Sequence, residues 1–165
     1  MKLVIATLLL LPPAAAWAAH HAGELVGLIR VNNDAEISLG KVAAKKARSQ
    51  DVKRFGQMMV DHHTASNEEL KAQARAKKDK TDAVKALKEK AKADAARLNA
   101  LDAAQFDAAY IDQQIEAHRT LLGALDRALA DRASLGPDAA LIEKTRGVVA
   151  AHLQEATRIR GTLGR

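Results

Sequence analysis

Residues 102–129 read DAAQFDAAYIDQQIEAHRTLLGALDRAL, and the spacing within them decides the fold. Projected at 100° per residue, Phe106, Tyr110, Ile111, Leu121, Leu125 and Leu129 fall within one arc, which puts them on one face of a helix. Asp102 supplies an N-cap and Ser134-Leu135-Gly136 a stop, so the pattern predicts one long helix, C, between them. The same face also carries Asp107, Gln114 and His118. Polar groups on a buried face need partners.

Working outward, similar stripes define three more long helices. Leu25, Leu28, Ile29, Leu39 and Ala43 give helix A, from Glu24 to about Ser49. Val52, Phe55, Met59, Leu70 and Ala74 give helix B, ended by the cluster Lys77-Lys78-Asp79-Lys80. Pro137 opens helix D, whose stripe is Leu141, Val148, Val149, Ile159 and Leu163. Between B and C, residues 78–102 form a basic connector, with Thr81 to Asn99 as a short extra helix or crossover segment. Ala, Leu, Lys, Glu, Gln and Arg fill these segments, while aromatics amount to one Trp, one Tyr and two Phe. That composition favours helix over sheet. The expectation is an all-α four-helix bundle in a single domain over 19–165.

Projection at 100° per residue asks which polar side chains enter the apolar arcs. Asn32 and Glu36 do so on helix A, His63 on B, Asp107, Gln114 and His118 on C, and His152 on D, while His62 lies at the edge. Glu36 and His63 stand 14 and 13 residues either side of the A–B turn near residue 50, hence each about 20 Å from that end. His118 and His152 both stand 17 residues from the C–D turn near residue 135, about 25 Å from it. In a bundle about 40–45 Å tall these four share the middle layer whichever way the turns face. Asp107, three turns from His118, belongs to another layer.

Three imidazoles and a carboxylate in one layer form a candidate site for a divalent transition metal (Cu, Zn, Ni or Fe), since imidazole suits each of them. A purely structural hydrogen-bonded layer is the competing reading. Glu36, His63, His118 and His152 are therefore the core candidates, with His62 and Asp107 peripheral. A carboxylate-bridged di-iron centre needs Glu-x-x-His on two helices. Val60, Ile115 and Val149 stand three residues before the inward histidines instead.

The run Glu36-Ile37-Ser38-Leu39-Gly40-Lys41, then Val52-Lys53-Arg54-Phe55 with Met58-Met59 and His63, then Phe106-Asp107-Ala108-Ala109-Tyr110, His118 and His152 resembles a bacterial exported family called domain of unknown function 4142. The resemblance covers most of the chain and implies a ferritin-like four-helix fold and an export route, with no assigned activity. The family usually has Asp directly before the helix B histidine. Here that position is His62, with Asp61 one residue earlier.

The start of the chain fits export independently. Met1-Lys2, the apolar stretch Leu3 to Leu11, Pro12-Pro13 and Ala16-Trp17-Ala18 compose a secretory signal peptide over 1–18, cut after Ala18. The periplasm is the expected location, and residues 19–23 should be flexible. A mature Ala19-His20-His21 terminus would offer an amine, two amide nitrogens and the imidazole of His21 to Cu(II) or Ni(II), making His20 and His21 amino-terminal candidates.

From Lys71 to Arg97 ten basic residues outweigh four acidic ones. This asymmetry suits either a solvated lysine face or contact with anionic envelope lipid or polysaccharide. No aromatic is interleaved, so nucleic acid is not an expected partner. The chain has no cysteine, which excludes disulfides, thiolate metal sites and cysteine nucleophiles. It shows neither a nucleophile elbow nor a Gly-rich phosphate loop. The expectation is a non-enzymatic periplasmic bundle that binds a metal or small ligand, with a role in envelope stress, the alternative being an interaction module acting through residues 71–97.

Overall fold

The structure is a computed structural model that describes residues 22–72 and 81–163. The expected signal peptide over 1–18, His20, His21 and residues 73–80 of the basic stretch lie outside the described residues. Five long helices and a short one follow in order: α1 (Ala22–Lys46), α2 (Gln50–Ala72), α3 (Asp82–Ala100), α4 (Ala103–Ala130), α5 (Arg132–Leu135) and α6 (Ala139–Thr162). No strand occurs among the described residues. Helices A, B, C and D correspond to α1, α2, α4 and α6, and the all-α bundle expected from periodicity is present.

The helices pair as two hairpins, α1 with α2 and α4 with α6, stacked on each other, while α3 lies along α1. Shared core residues give the directions. Val52 and Phe55 of α2 meet Leu39 and Ala43 of α1, Phe106 and Tyr110 of α4, and Ile159 of α6 in one apolar cluster. Leu25 and Ile29, Leu70, Leu125, and Leu141 and Val149 of the same four helices meet in the other. Hence α2 and α4 both descend while α1 and α6 ascend, and the chain must cross the bundle between α2 and α4. Helix α3 makes that crossing.

Local chemistry sets the joints. Asp102 caps α4, its carboxylate accepting the amides of Ala104 at 2.9 Å and Gln105 at 2.8 Å. Thr81 caps α3 through the Val84 amide. At the α1–α2 turn the backbone amides of Arg48 and Ser49 donate to the Asp107 carboxylate in partly buried contacts, the shortest being 2.7 Å. The extra helix or crossover segment expected over Thr81 to Asn99 is the 19-residue helix α3, held to α1 by Val84 against Leu28 and Val31.

Helix α4 stops at Ala130, earlier than the Ser134-Leu135-Gly136 boundary expected from sequence. The reason is Leu135: a break at Asp131 lets it turn inward and close one end of the core, where it is 4% exposed. Gly136 follows with φ of 52°, a left-handed conformation that glycine adopts without steric cost. No described helix is long and apolar enough to cross a membrane.

Candidate metal centre

The two apolar clusters are separated by a polar layer at mid-height. It contains Asn33 and Glu36 from α1, His63 from α2, Gln114 and His118 from α4 and His152 from α6, all buried. Each helix reaches the layer between its two apolar halves: Phe55 and Met59 precede His63 and Leu70 follows it, while Val149 precedes His152 and Ala156 follows. Helical periodicity thus delivers the polar side chains as regularly as it delivers the leucines.

The imidazoles of His63, His118 and His152 converge, each offering one nitrogen within 4.8 Å of the other two. Ring centroids are 5.2 Å apart for His63 and His152, 5.3 Å for His118 and His152, and 6.1 Å for His63 and His118. No other such group of ligating side chains occurs among the described residues. Nε2 of His118 and Nδ1 of His152 are 3.3 Å apart. Two nitrogens bound tetrahedrally at about 2.0–2.1 Å from a zinc ion stand about 3.3–3.4 Å from each other. The observed separation equals that edge, and it is also the length of a hydrogen bond between the two rings.

Outer partners orient the rings. His118 Nδ1 lies 2.9 Å from the Gln114 carbonyl, which can only accept, so that nitrogen carries the proton and the neutral ring's lone pair is on Nε2. His63 Nδ1 donates to Asn33 Oδ1 at 2.8 Å. The Asn33 amide is fixed by donating to Ser66 Oγ and Asn67 Oδ1 at 2.9 and 3.0 Å, and Asn67 donates in turn to Asp34. His63 Nε2 is buried with no protein partner. Such anchoring of the second nitrogen fixes tautomer and ring orientation in metal sites. His152 Nε2 faces His62 Nδ1 at 2.9 Å, with the two rings stacked at 20°.

Electrostatics keep the rings available as ligands. Burial, reinforced by neighbouring His118 and His62, pushes His63 down to about 3. Burial and the adjacent His118, His63 and His62 push His152 down to about 2. Both are neutral at physiological pH. Glu36 moves the other way, raised by burial, with His118 and the Gln114 amide opposing. Tyr110, also buried, is raised well above its ordinary value by burial and by Glu36.

The expected site residues thus separate. His63, His118 and His152 come together; Glu36 shares their layer beside His118 but is outside the converging set, and its carboxylate borders a different cleft. His62 is exposed yet bonded to the cluster through His152. Asp107 stands at the α1–α2 turn, apart from the layer. Asn32, read as inward from sequence, is only partly buried, and its neighbour Asn33 takes the inward position. Spacing does not choose between them, since Asn33 follows buried Ile29 by four residues and Asn32 follows buried Leu28 by four.

A cleft of about 260 Å³ runs between α2 and α6 to this cluster, lined by His62, His63, Asn33, Thr145 and Val148. Glu69 and Lys144, also on its lining, form a 2.7 Å ion pair across the two helices. The family model described as Domain of unknown function (DUF4142) matches residues 10–159 of the chain. No curated protein and no solved structure matches it.

Proposed function

We propose that this chain, which belongs to the DUF4142 family, is an exported bundle that binds one divalent transition metal ion in its central layer through His63, His118 and His152. The observation that carries this reading is the convergence of three buried imidazole nitrogens within 4.8 Å. Support comes from the anchored second nitrogens of His63 and His118, from the neutral state that burial imposes on His63 and His152, and from the cleft that reaches His63. Imidazole donors suit Zn, Cu, Ni and Fe.

The test uses the chain with His20→Ala and His21→Ala, so that an amino-terminal copper or nickel site cannot contribute. Zn(II), Cu(II), Ni(II) and Fe(II) are titrated against thermal unfolding and followed by elemental analysis. A folded-state ligand raises the melting temperature with concentration, and His118→Ala with His152→Ala should abolish that rise. If no ion raises the melting temperature, the layer is structural. The reading then passes to the exposed residues Lys85, Lys88 and Lys92 of α3 as an anionic-surface contact. Replacing those three with Gln should in that case weaken binding to anionic vesicles in a salt-dependent manner.

Export rests on residues 1–18 alone. Intact mass of protein from the periplasmic fraction should show a chain that begins at Ala19; retention of Trp17 overturns it.

A further inference from the structure

Helix α3 is fastened at its two ends and stands off in between. At one end Val84 packs on Leu28 and Val31. At the other Leu98 enters the core, and the Lys46 ammonium donates to the carbonyls of Leu98 and Asn99. Between these points α3 presents Ala86, Leu87 and Ala91 toward α4, which answers with Ala117, Leu121 and Ala124. Alanines opposite alanines do not fill the space, and a half-open cleft of about 170 Å³ remains between α1, α3 and α4.

The walls are apolar, but two polar atoms in the lining residues have no partner. Glu36 is 3% exposed and its Oε2 lacks a well-formed hydrogen bond, the Gln114 amide being its neighbour in the layer. Gln113 is half-buried as a residue, but its Oε1 is inaccessible and also without a partner. Leaving a buried acceptor unsatisfied destabilises the fold, the more so for a charged group. At the rim Lys90 and Asp94 form an ion pair that is partly buried, so the lysine is already engaged, and Asp94 adds a second carboxylate near Glu36. Unsatisfied acceptors, two carboxylates and an occupied lysine are hostile to an anionic head and complementary to a cation that donates several hydrogen bonds.

We infer that this cleft binds a small apolar amine, its ammonium donating to Glu36 and Gln113 and its hydrocarbon tail lying among Leu28, Leu39, Leu87 and Leu121. A primary ammonium has three donors, and an alkylamine, like the lysine side chain, is protonated at neutral pH. The site is distinct from the cleft that leads to His63, so it goes beyond the metal reading.

Hexylamine is the probe, titrated against the full chain in EDTA and followed by amide chemical shifts. Saturable shifts at Leu28, Leu87 and Leu121 are expected, with 1-hexanol and hexanoate at least tenfold weaker. Glu36→Gln, close to isosteric, should weaken the amine at least tenfold. Ala91→Leu, remote from the histidines, should fill the cleft and abolish binding while leaving the zinc-dependent rise in melting temperature unchanged. Absence of saturable shifts overturns the inference. So does binding that survives Ala91→Leu, or hexanol and hexanoate that match the amine. Because EDTA removes metal from this titration and the metal titration contains no amine, either site can fail alone.

Discussion

Asn33 holds the imidazole of His63 through a line of amides that ends at exposed Asp34. Cutting the line at Asn33→Ala leaves the His63 Nδ1 proton without its acceptor and frees the ring to turn. The expected loss is about 1–3 kcal/mol of stability for the unpaired buried group, measured by urea unfolding in EDTA. A ligating histidine deprived of its outer partner should also bind metal about 10–100-fold more weakly, measured by competition with a chromophoric chelator. A merely structural asparagine would produce the first effect without the second. Sequence periodicity reaches His63, His118 and His152 because a buried face repeats in the code itself. It does not reach which of two adjacent asparagines turns inward, since Asn32 and Asn33 differ by only 100° about the axis and the choice falls to Ser66 and Asn67 on another helix. Tautomer-setting contacts are likewise invisible in one dimension: the carbonyl that orients His118 belongs to a backbone every residue shares.

At the scale of helices, α1 and α2 come close enough for backbone to touch backbone. A Cβ on Gly56 would lie 2.8 Å from Gly40 O, 2.9 Å from the Ala44 amide nitrogen and 2.8 Å from Ala43 Cβ; one on Gly40 would lie 2.5 Å from Gly56 O. Alanine is normally better than glycine in a helix interior by about 1 kcal/mol. Here neither neighbour is a flexible side chain that can swing away, so steric cost outweighs propensity. Gly56→Ala should destabilise the protein by about 1–3 kcal/mol, the usual range for overpacking, whereas Gly147→Ala, with open space around it, should be neutral or stabilising. Paired thermal melts of the two variants decide the matter, and equal effects would refute the close crossing. Asp107 is the other joint: Asp107→Ala removes the acceptor for the Arg48 and Ser49 amides and should lower stability by about 1–3 kcal/mol without changing metal affinity. Four helices, the span of the crossover segment and the Asp102 cap were readable because periodicity and capping are local. The early end of α4 was not, because Leu135 finds its partners only after the bundle has assembled.

The whole molecule is two apolar cores joined by a layer of neutral imidazoles, and that arrangement fixes how its stability depends on pH. In the unfolded chain a histidine takes up a proton near pH 6.5. In the fold, burial holds His63 at about 3 and His152 at about 2. Between those limits the unfolded state binds more protons than the native one, so stability must fall as pH drops below about 6.5. Each imidazole contributes a slope of up to about 1.4 kcal/mol per pH unit. Glu36 works in the opposite sense. Its folded value is raised, so its contribution is complete below about 4.5 and is lost as pH rises through the folded value. Two histidines against one carboxyl leave the net slope positive between about pH 4.5 and 6.5. Melting temperatures in EDTA should therefore decline across this range on acidification, and His63→Gln with His152→Gln should flatten the decline even if both curves lie lower. A metal held by the three rings needs them deprotonated, and the fold already keeps His63 and His152 in that form across this range. Saturating Zn(II) should therefore raise the melting temperature of the native sequence throughout it, moving the acid midpoint of unfolding to lower pH, and leave the double variant where it was. An acid limb that ignores both the substitutions and the zinc would mean that the layer is neither the origin of the pH dependence nor a place where an ion resides.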